Sequence, residues 1–212
     1  HDRIFKEEED RLMRLFQHTQ VRHLELSPQI RQLFKSAYPA LGKTFRYRKT
    51  NRETFEAILS RKGDVARVLR QMHRVGFLGR YLPEFGALTD LVQHEFFHRY
   101  SADEHTLRVV EHLDHLLDTR LDTPLEIMLR DLFQEVEDPF VLYLAILLHD
   151  SGRATDADQH EYASAMLAAR VCNRLKLGLD RRRLLLFLVD HHLSLFRTAT
   201  QQNIEDPSVI GD

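Results

Sequence analysis

Asp138-Pro139-Phe140-Val141-Leu142-Tyr143-Leu144-Ala145-Ile146-Leu147-Leu148-His149-Asp150-Ser151-Gly152 is the stretch on which the fold turns. A capping residue stands before a proline, the arrangement of a helix start, because proline's fixed φ suits the first turn and its missing N–H is not needed there. An apolar run follows, with Val141, Leu144, Ala145 and Leu148 on one helical face. The run stops well short of the roughly 20 residues that a bilayer requires. It ends in His149-Asp150 and then Ser151-Gly152, where the backbone leaves helical geometry. At such an end two adjacent side chains can point into one site, and the apolar run behind them holds the pair and keeps bulk water at a distance.

The same grammar recurs on both sides. Ser27-Pro28 and Thr123-Pro124 repeat the cap-proline start, Ser101 with Glu104 predicts a capping box, and Asn51 and Asp180 are further candidate caps. Leu107, Val110, Leu113, Leu116 and Leu117 recur at helical intervals, as do Leu12, Leu15 and Phe16. Residues 6–23, 29–36, 52–59 and 65–75 predict amphipathic helices, and 76–79 a turn. Residues 184–189 are apolar nearly all round and predict a central buried helix. Residues 198–212 predict a polar terminal loop. No alternating strand pattern and no internal repeat is present, so the fold class is all-α.

The composition suits a water-soluble protein: 43% hydrophobic and 29% charged residues, with a net charge of −2 at pH 7. That balance gives no electrostatic footprint for nucleic acid, and the basic residues at 46–52 and 181–183 read as solvated faces. Cys172 is the single cysteine. It reads as a small buried apolar residue and fits a reducing, cytoplasmic setting with no membrane contact. The charged first residues do not form a signal peptide. The chain opens on His1 rather than methionine, as a fragment or processed chain would.

Histidine is concentrated: nine of the 13 histidines lie between His94 and His192. His105 falls in the first turn of a predicted helix, and His149-Asp150 ends another. His160 opens the next, and His191-His192 closes the apolar helix at 184–189. Asp206 follows. Helices packed side by side bring such ends together at one rim of the core. Imidazoles and carboxylates at apolar helix ends are costly to desolvate without partners, and they suit divalent first-row metals. His18, His23, His73, His112 and His115 read as ordinary structural or surface residues.

The ordered set His105, His149-Asp150, His160, His191-His192, Asp206 resembles the HD superfamily of metal-dependent phosphohydrolases. The stretch Phe77-Leu78-Gly79-Arg80-Tyr81-Leu82-Pro83-Glu84-Phe85-Gly86 is closer still to the segment leading into the HD domain of bacterial PII uridylyltransferase/uridylyl-removing enzymes. Gln93-His94-Glu95-Phe96-Phe97-His98-Arg99-Tyr100, then Asp103-Glu104-His105-Thr106, Leu147-Leu148-His149-Asp150, His160-Glu161, His191-His192-Leu193 and Ile204-Glu205-Asp206-Pro207 continue it in register. The resemblance covers roughly residues 10–210. It implies an HD-superfamily helical bundle at residues 93–212. Residues 1–92 would be a helical connector following a nucleotidyltransferase domain that this sequence does not contain, and the family's paired ACT domains are absent too. Two positions depart from the family: Arg153 stands where a lysine is usual and Asn203 where an aspartate is usual, so the closing ligand is assigned to Asp206.

The resemblance implies hydrolysis of a phosphodiester: removal of UMP from a uridylylated tyrosine of the PII signalling protein, in nitrogen regulation. It implies one or two divalent ions, of manganese, iron, magnesium or zinc. His105, His149, Asp150 and Asp206 would be the inner ligands, His160, His191 and His192 would complete a second position, and Asp150 could bridge. Asp150 and Arg153 are the candidate catalytic residues, Arg153 through the substrate phosphate. His94, His98 and Tyr100 are candidate pocket or supporting residues. Two other readings stay open on sequence alone: an HD hydrolase of free nucleotides or nucleotide second messengers, and a catalytically weak regulatory or protein-binding module.

Overall fold

A computed structural model describes residues 4–42, 44–92, 100–118, 123–155 and 160–201. Among these residues every regular element is helical and no strand occurs, as the sequence predicts. The first part of the chain forms α1 (Ile4–Glu7), α2 (Asp10–Val21), α3 (Pro28–Ala37), α4 (Lys49–Leu59) and α5 (Ala66–Arg74), then the one-turn helices α6 (Leu78–Tyr81) and α7 (Pro83–Gly86). The second part forms α8 (Ala102–His115), α9 (Pro124–Glu135), α10 (Pro139–Leu148), α11 (His160–Leu175), α12 (Leu179–Asp190) and α13 (Ser194–Gln201). None of these helices is long and apolar enough to cross a membrane.

Local signals start the helices with mixed fidelity. Ser27 caps α3 by accepting from the Ile30 amide, and Thr123 with Glu126 forms a complete capping box on α9. Ser101 sits at the N-cap of α8 but makes no side-chain cap bond, so the capping box expected there does not form. Asn51 and Asp180 are not caps either. Asn51 is buried inside α4, where its amide donates to Asp10 and to the Phe45 carbonyl, and α12 is capped at Gly178. Residues 198–201, expected as loop, continue α13.

One apolar core runs through both parts of the chain. Phe16, Phe34, Phe45, Phe55, Phe77 and Tyr81 form an aromatic cluster with ring centroids 4.8 to 6.5 Å apart. The segment at 77–86 is a tight joint. Its two one-turn helices approach so closely that a Cβ on Gly86 would lie 2.9 Å from the Gly79 Cα. The apolar run read first, now α10, is the central helix: Phe140, Val141, Tyr143, Leu144, Leu147 and Leu148 are buried. It packs against α4 from the first part and against α8, α11 and α12 from the second. The expectation of a buried α12 is corrected. Only Leu185 and Val189 are buried on it, while Leu184 and Phe187 are exposed, because α12 lies on α10 and α11 by one face.

Charged groups tie the two parts at α5 and α8. The Asp114 carboxylate on α8 accepts from the Val65 and Ala66 amides at 2.8 and 2.7 Å, so it caps α5 from a distance. It also accepts from the Tyr143 hydroxyl on α10. Arg70 on α5 binds Glu104 and Glu111 on α8.

Candidate metal centre

The end of α10 presents its last carbonyls without helical N–H partners. His149 uses one of them. Its Nδ1 lies 2.7 Å from the Ile146 carbonyl oxygen, and a carbonyl only accepts, so Nδ1 carries the proton. Nε2 is then left with its lone pair, 3.4 Å from Asp150 Oδ2. The end of α12 repeats the device. His192 Nδ1 donates to the Val189 carbonyl at 2.8 Å, and its Nε2 stands 3.7 Å from Asp150 Oδ1. A backbone acceptor that fixes the tautomer and aims Nε2 is the usual support of a metal-ligating histidine.

Two further imidazoles join. His160, the first residue of α11, places Nε2 3.6 Å from Asp150 Oδ1. His105, in the first turn of α8, has its ring centre 5.8 Å from that of His149. The rings of His105, His149, His192 and His160 follow one another at 5.8, 5.0 and 5.7 Å, with the Asp150 carboxylate beside them. Ligand atoms of His105, His149 and Asp150 all lie within 4.8 Å of one another, and so do those of Asp150, His160 and His192.

The spacing and the donor set fit a cation. Gaps of 3.4 to 3.7 Å between Nε2 atoms and carboxylate oxygens are too long for good hydrogen bonds. Two ligand atoms each ~2.1 Å from one ion stand about 3 to 3.5 Å apart, close to these gaps. Asp150 is 3% exposed, and the His192 Nε2 is buried without a hydrogen bond. An ion between them would satisfy both.

Electrostatics favour the ligating forms of Asp150 and His149. Burial pushes the Asp150 carboxyl up, but His192, His149 and Arg153 outweigh it and hold the group well below the usual carboxylate range. Burial lowers the His149 imidazole, which keeps it neutral. Burial also works to lower His192, but the adjoining Asp150 carboxylate wins and its pKa is raised. Against His149 and His192 opens a hollow of about 370 Å³, walled by Val109, Leu142, Ala145, Ile146 and Leu188.

The sequence reading did not single out Gly152 and Ser164, which position this site. The Gly152 amide donates to Ser164 Oγ at 2.8 Å, which docks α11 on the turn after Asp150. A Cβ on Gly152 would collide with the His160 carbonyl and lie 2.5 Å from the Ser164 amide nitrogen. The glycine two residues after the His-Asp pair, with small Ala163 and Ser164 on the following helix, is the signal that could have found them.

Of the expected ligands, the fold brings His105, His149, Asp150, His160 and His192 together. His191 is placed elsewhere: half-exposed, with its ring stacked on Phe187 at 4.6 Å. The seating of α12 on α10 and α11 turns only the second of the doublet toward the cluster. Tyr100 is exposed and lies under the Arg108 guanidinium, 4.0 Å from its ring centre. Arg153 places Nε 2.8 Å from Asp150 Oδ1. His94, His98, Asn203 and Asp206 lie outside the described residues.

Comparison with known proteins matches two families to the chain. The family described as "Uridylyltransferase GlnD third domain" matches residues 1–81, and the HD domain family matches residues 102–209. A bifunctional uridylyltransferase/uridylyl-removing enzyme of Methylococcus capsulatus is 39% identical over 74% of the chain and 18% of its own length. Enzymes of the same name from Pseudomonas putida and Phenylobacterium zucineum are 32% and 34% identical over 100% and 99% of the chain, and 24% and 22% of their own lengths. The chain thus spans about a fifth to a quarter of the curated relatives it matches. With the HD profile over half of its residues and similarity to these enzymes along its whole length, the chain belongs to the HD-domain family, in the form carried by bacterial bifunctional uridylyltransferase/uridylyl-removing enzymes.

Proposed function

We propose that this chain is a metal-dependent phosphodiester hydrolase that removes UMP from the uridylylated PII signalling protein. The observation that carries the reading is one deeply buried carboxylate, Asp150, shared between two sets of imidazoles. The relatives' printed name, uridylyl-removing enzyme, supplies the substrate class.

His105, His149 and Asp150 would hold one divalent ion, and Asp150, His160 and His192 a second, with Asp206 as a further candidate ligand. A bound divalent ion of this kind polarises a phosphoryl oxygen and lowers the pKa of a water towards ~7. The protein's own part is to keep ligands ready. The Ile146 and Val189 carbonyls hold two imidazoles in the ligating tautomer, and burial keeps His149 neutral. Arg153 offers a planar guanidinium that suits phosphate oxygens. Residues 1–92 serve as the helical connector and 93–212 as the hydrolase domain.

The test is release of UMP from uridylylated PII, with manganese present and after chelation, beside a panel of free nucleotides and cyclic dinucleotides. UMP release that depends on metal and falls about a hundredfold or more in Asp150→Asn supports the reading. Turnover only of free nucleotides moves the substrate assignment. Metal binding with no turnover of any phosphodiester leaves a regulatory module and sinks the proposal.

A further inference from the structure

The two oxygens of Asp150 face different surroundings. Oδ2 looks toward His149 Nε2 at 3.4 Å, and His105 and His149 form one candidate ligand set with Asp150. Oδ1 looks toward His160 and His192 at 3.6 and 3.7 Å, and on that side stands a cation supplied by the protein itself. Arg153 Nε lies 2.8 Å from Oδ1.

That cation is fixed in place and in charge. Arg153 sits in the single turn Ser151–Ala154, its amide donates to the Asp150 carbonyl at 3.0 Å, and its side chain is only 12% exposed. Gly152 and Ser164 hold this turn against α11. A guanidinium does not lose its proton in a folded protein. With so little water nearby, its repulsion of a second cation is weakly screened. It also spends part of the negative charge of Oδ1, the only anionic ligand atom that faces His160 and His192 among the described residues.

We infer that Arg153 makes the two metal positions unequal. The His105–His149–Asp150 position takes a divalent ion first and tightly. The Asp150–His160–His192 position takes a second one only weakly, because the Arg153 guanidinium stands 2.8 Å from its carboxylate oxygen and repels another cation. The inference rests on the metal-centre reading above and extends it to ion number and order.

The experiment is a manganese titration of the chelator-stripped chain, read by calorimetry and by the paramagnetic resonance of free Mn²⁺, with circular dichroism to verify helicity. One tight ion is expected, and a second weaker by about tenfold or more, ~1.4 kcal/mol per tenfold. Arg153→Gln should narrow that gap by about tenfold, while Arg153→Lys, which keeps a cation, should preserve it. His160→Ala should abolish only the weak ion. Two ions of matched affinity in the unaltered chain would overturn the inference while leaving the metal centre intact, and this result needs no variant to fold. An unchanged gap in a helical Arg153→Gln would overturn it as well. A helical chain that binds no manganese would overturn both this inference and the metal-centre reading beneath it.

Discussion

Gly152 sits where a single methyl group separates a formed site from a broken one. Its α hydrogens face the His160 carbonyl and the Ser164 amide, with no room for a Cβ. Gly152→Ala must push the start of α11 away from the turn that carries Asp150 and Arg153. We expect a loss of about 1 to 3 kcal/mol in urea unfolding, the usual scale of overpacking. Because His160 is the first residue of α11, the manganese that depends on His160 should weaken more than the tight ion; equal weakening of both would contradict this account. The sequence shows much of this site and omits some of it. Helix ends can be read from caps and apolar runs, so the sequence already places His105, His149, Asp150, His160 and His192 at or near such ends. Direction cannot be read the same way. His191 and His192 are equivalent in sequence, and only the seating of α12 on α10 and α11 turns the second inward. The role of Gly152 is only hinted at by its place two residues after the His-Asp pair until its neighbour across space is known.

Among elements, α10 and α12 look alike as strings of apolar residues, yet they do different work. α10 is enclosed by helices from both parts of the chain, and Leu144 on it is fully buried. α12 rests on its support by one face, with Leu184 46% exposed. Leu144→Ala should therefore cost about 2 to 5 kcal/mol, through lost burial and the cavity left behind. Leu184→Ala should stay within about 1 kcal/mol, as surface changes do. Chemical denaturation of the two variants gives the comparison; similar losses would mean that α12 is as enclosed as its composition suggests. The sequence misjudges α12 for a physical reason. Apolar composition reports what a helix could bury, whereas burial also needs neighbours on every side. Helix existence is more local, and so more legible: Thr123-Pro124 with Glu126 carries its capping box in the sequence itself.

At the scale of the molecule, the two parts matched by different families meet along α5 and α8. Arg70 binds Glu104 and Glu111 across this seam, and the arginine is the larger influence on both acids. Hydrogen bonds from Arg70 outweigh burial and hold both carboxyls below 4.5. Acids with folded-state pKa values below their unfolded ones release more protons on folding. Their contribution is present above 4.5 and is lost as pH falls through the lowered values. Asp114 works in the opposite sense. Burial raises its pKa, so the stability it contributes fades as pH rises through the folded value. The acid side of the stability profile should thus carry the mark of Arg70. Arg70→Met should lower stability by about 1 to 2 kcal/mol at neutral pH, a modest figure because Glu104 and Glu111 keep contact with water. It should also flatten the fall in urea midpoint below pH 4.5, where the unaltered chain loses these contacts. A profile that keeps its full acid slope in Arg70→Met would show that the seam between the two parts is held by apolar packing, with Arg70 contributing little to their union.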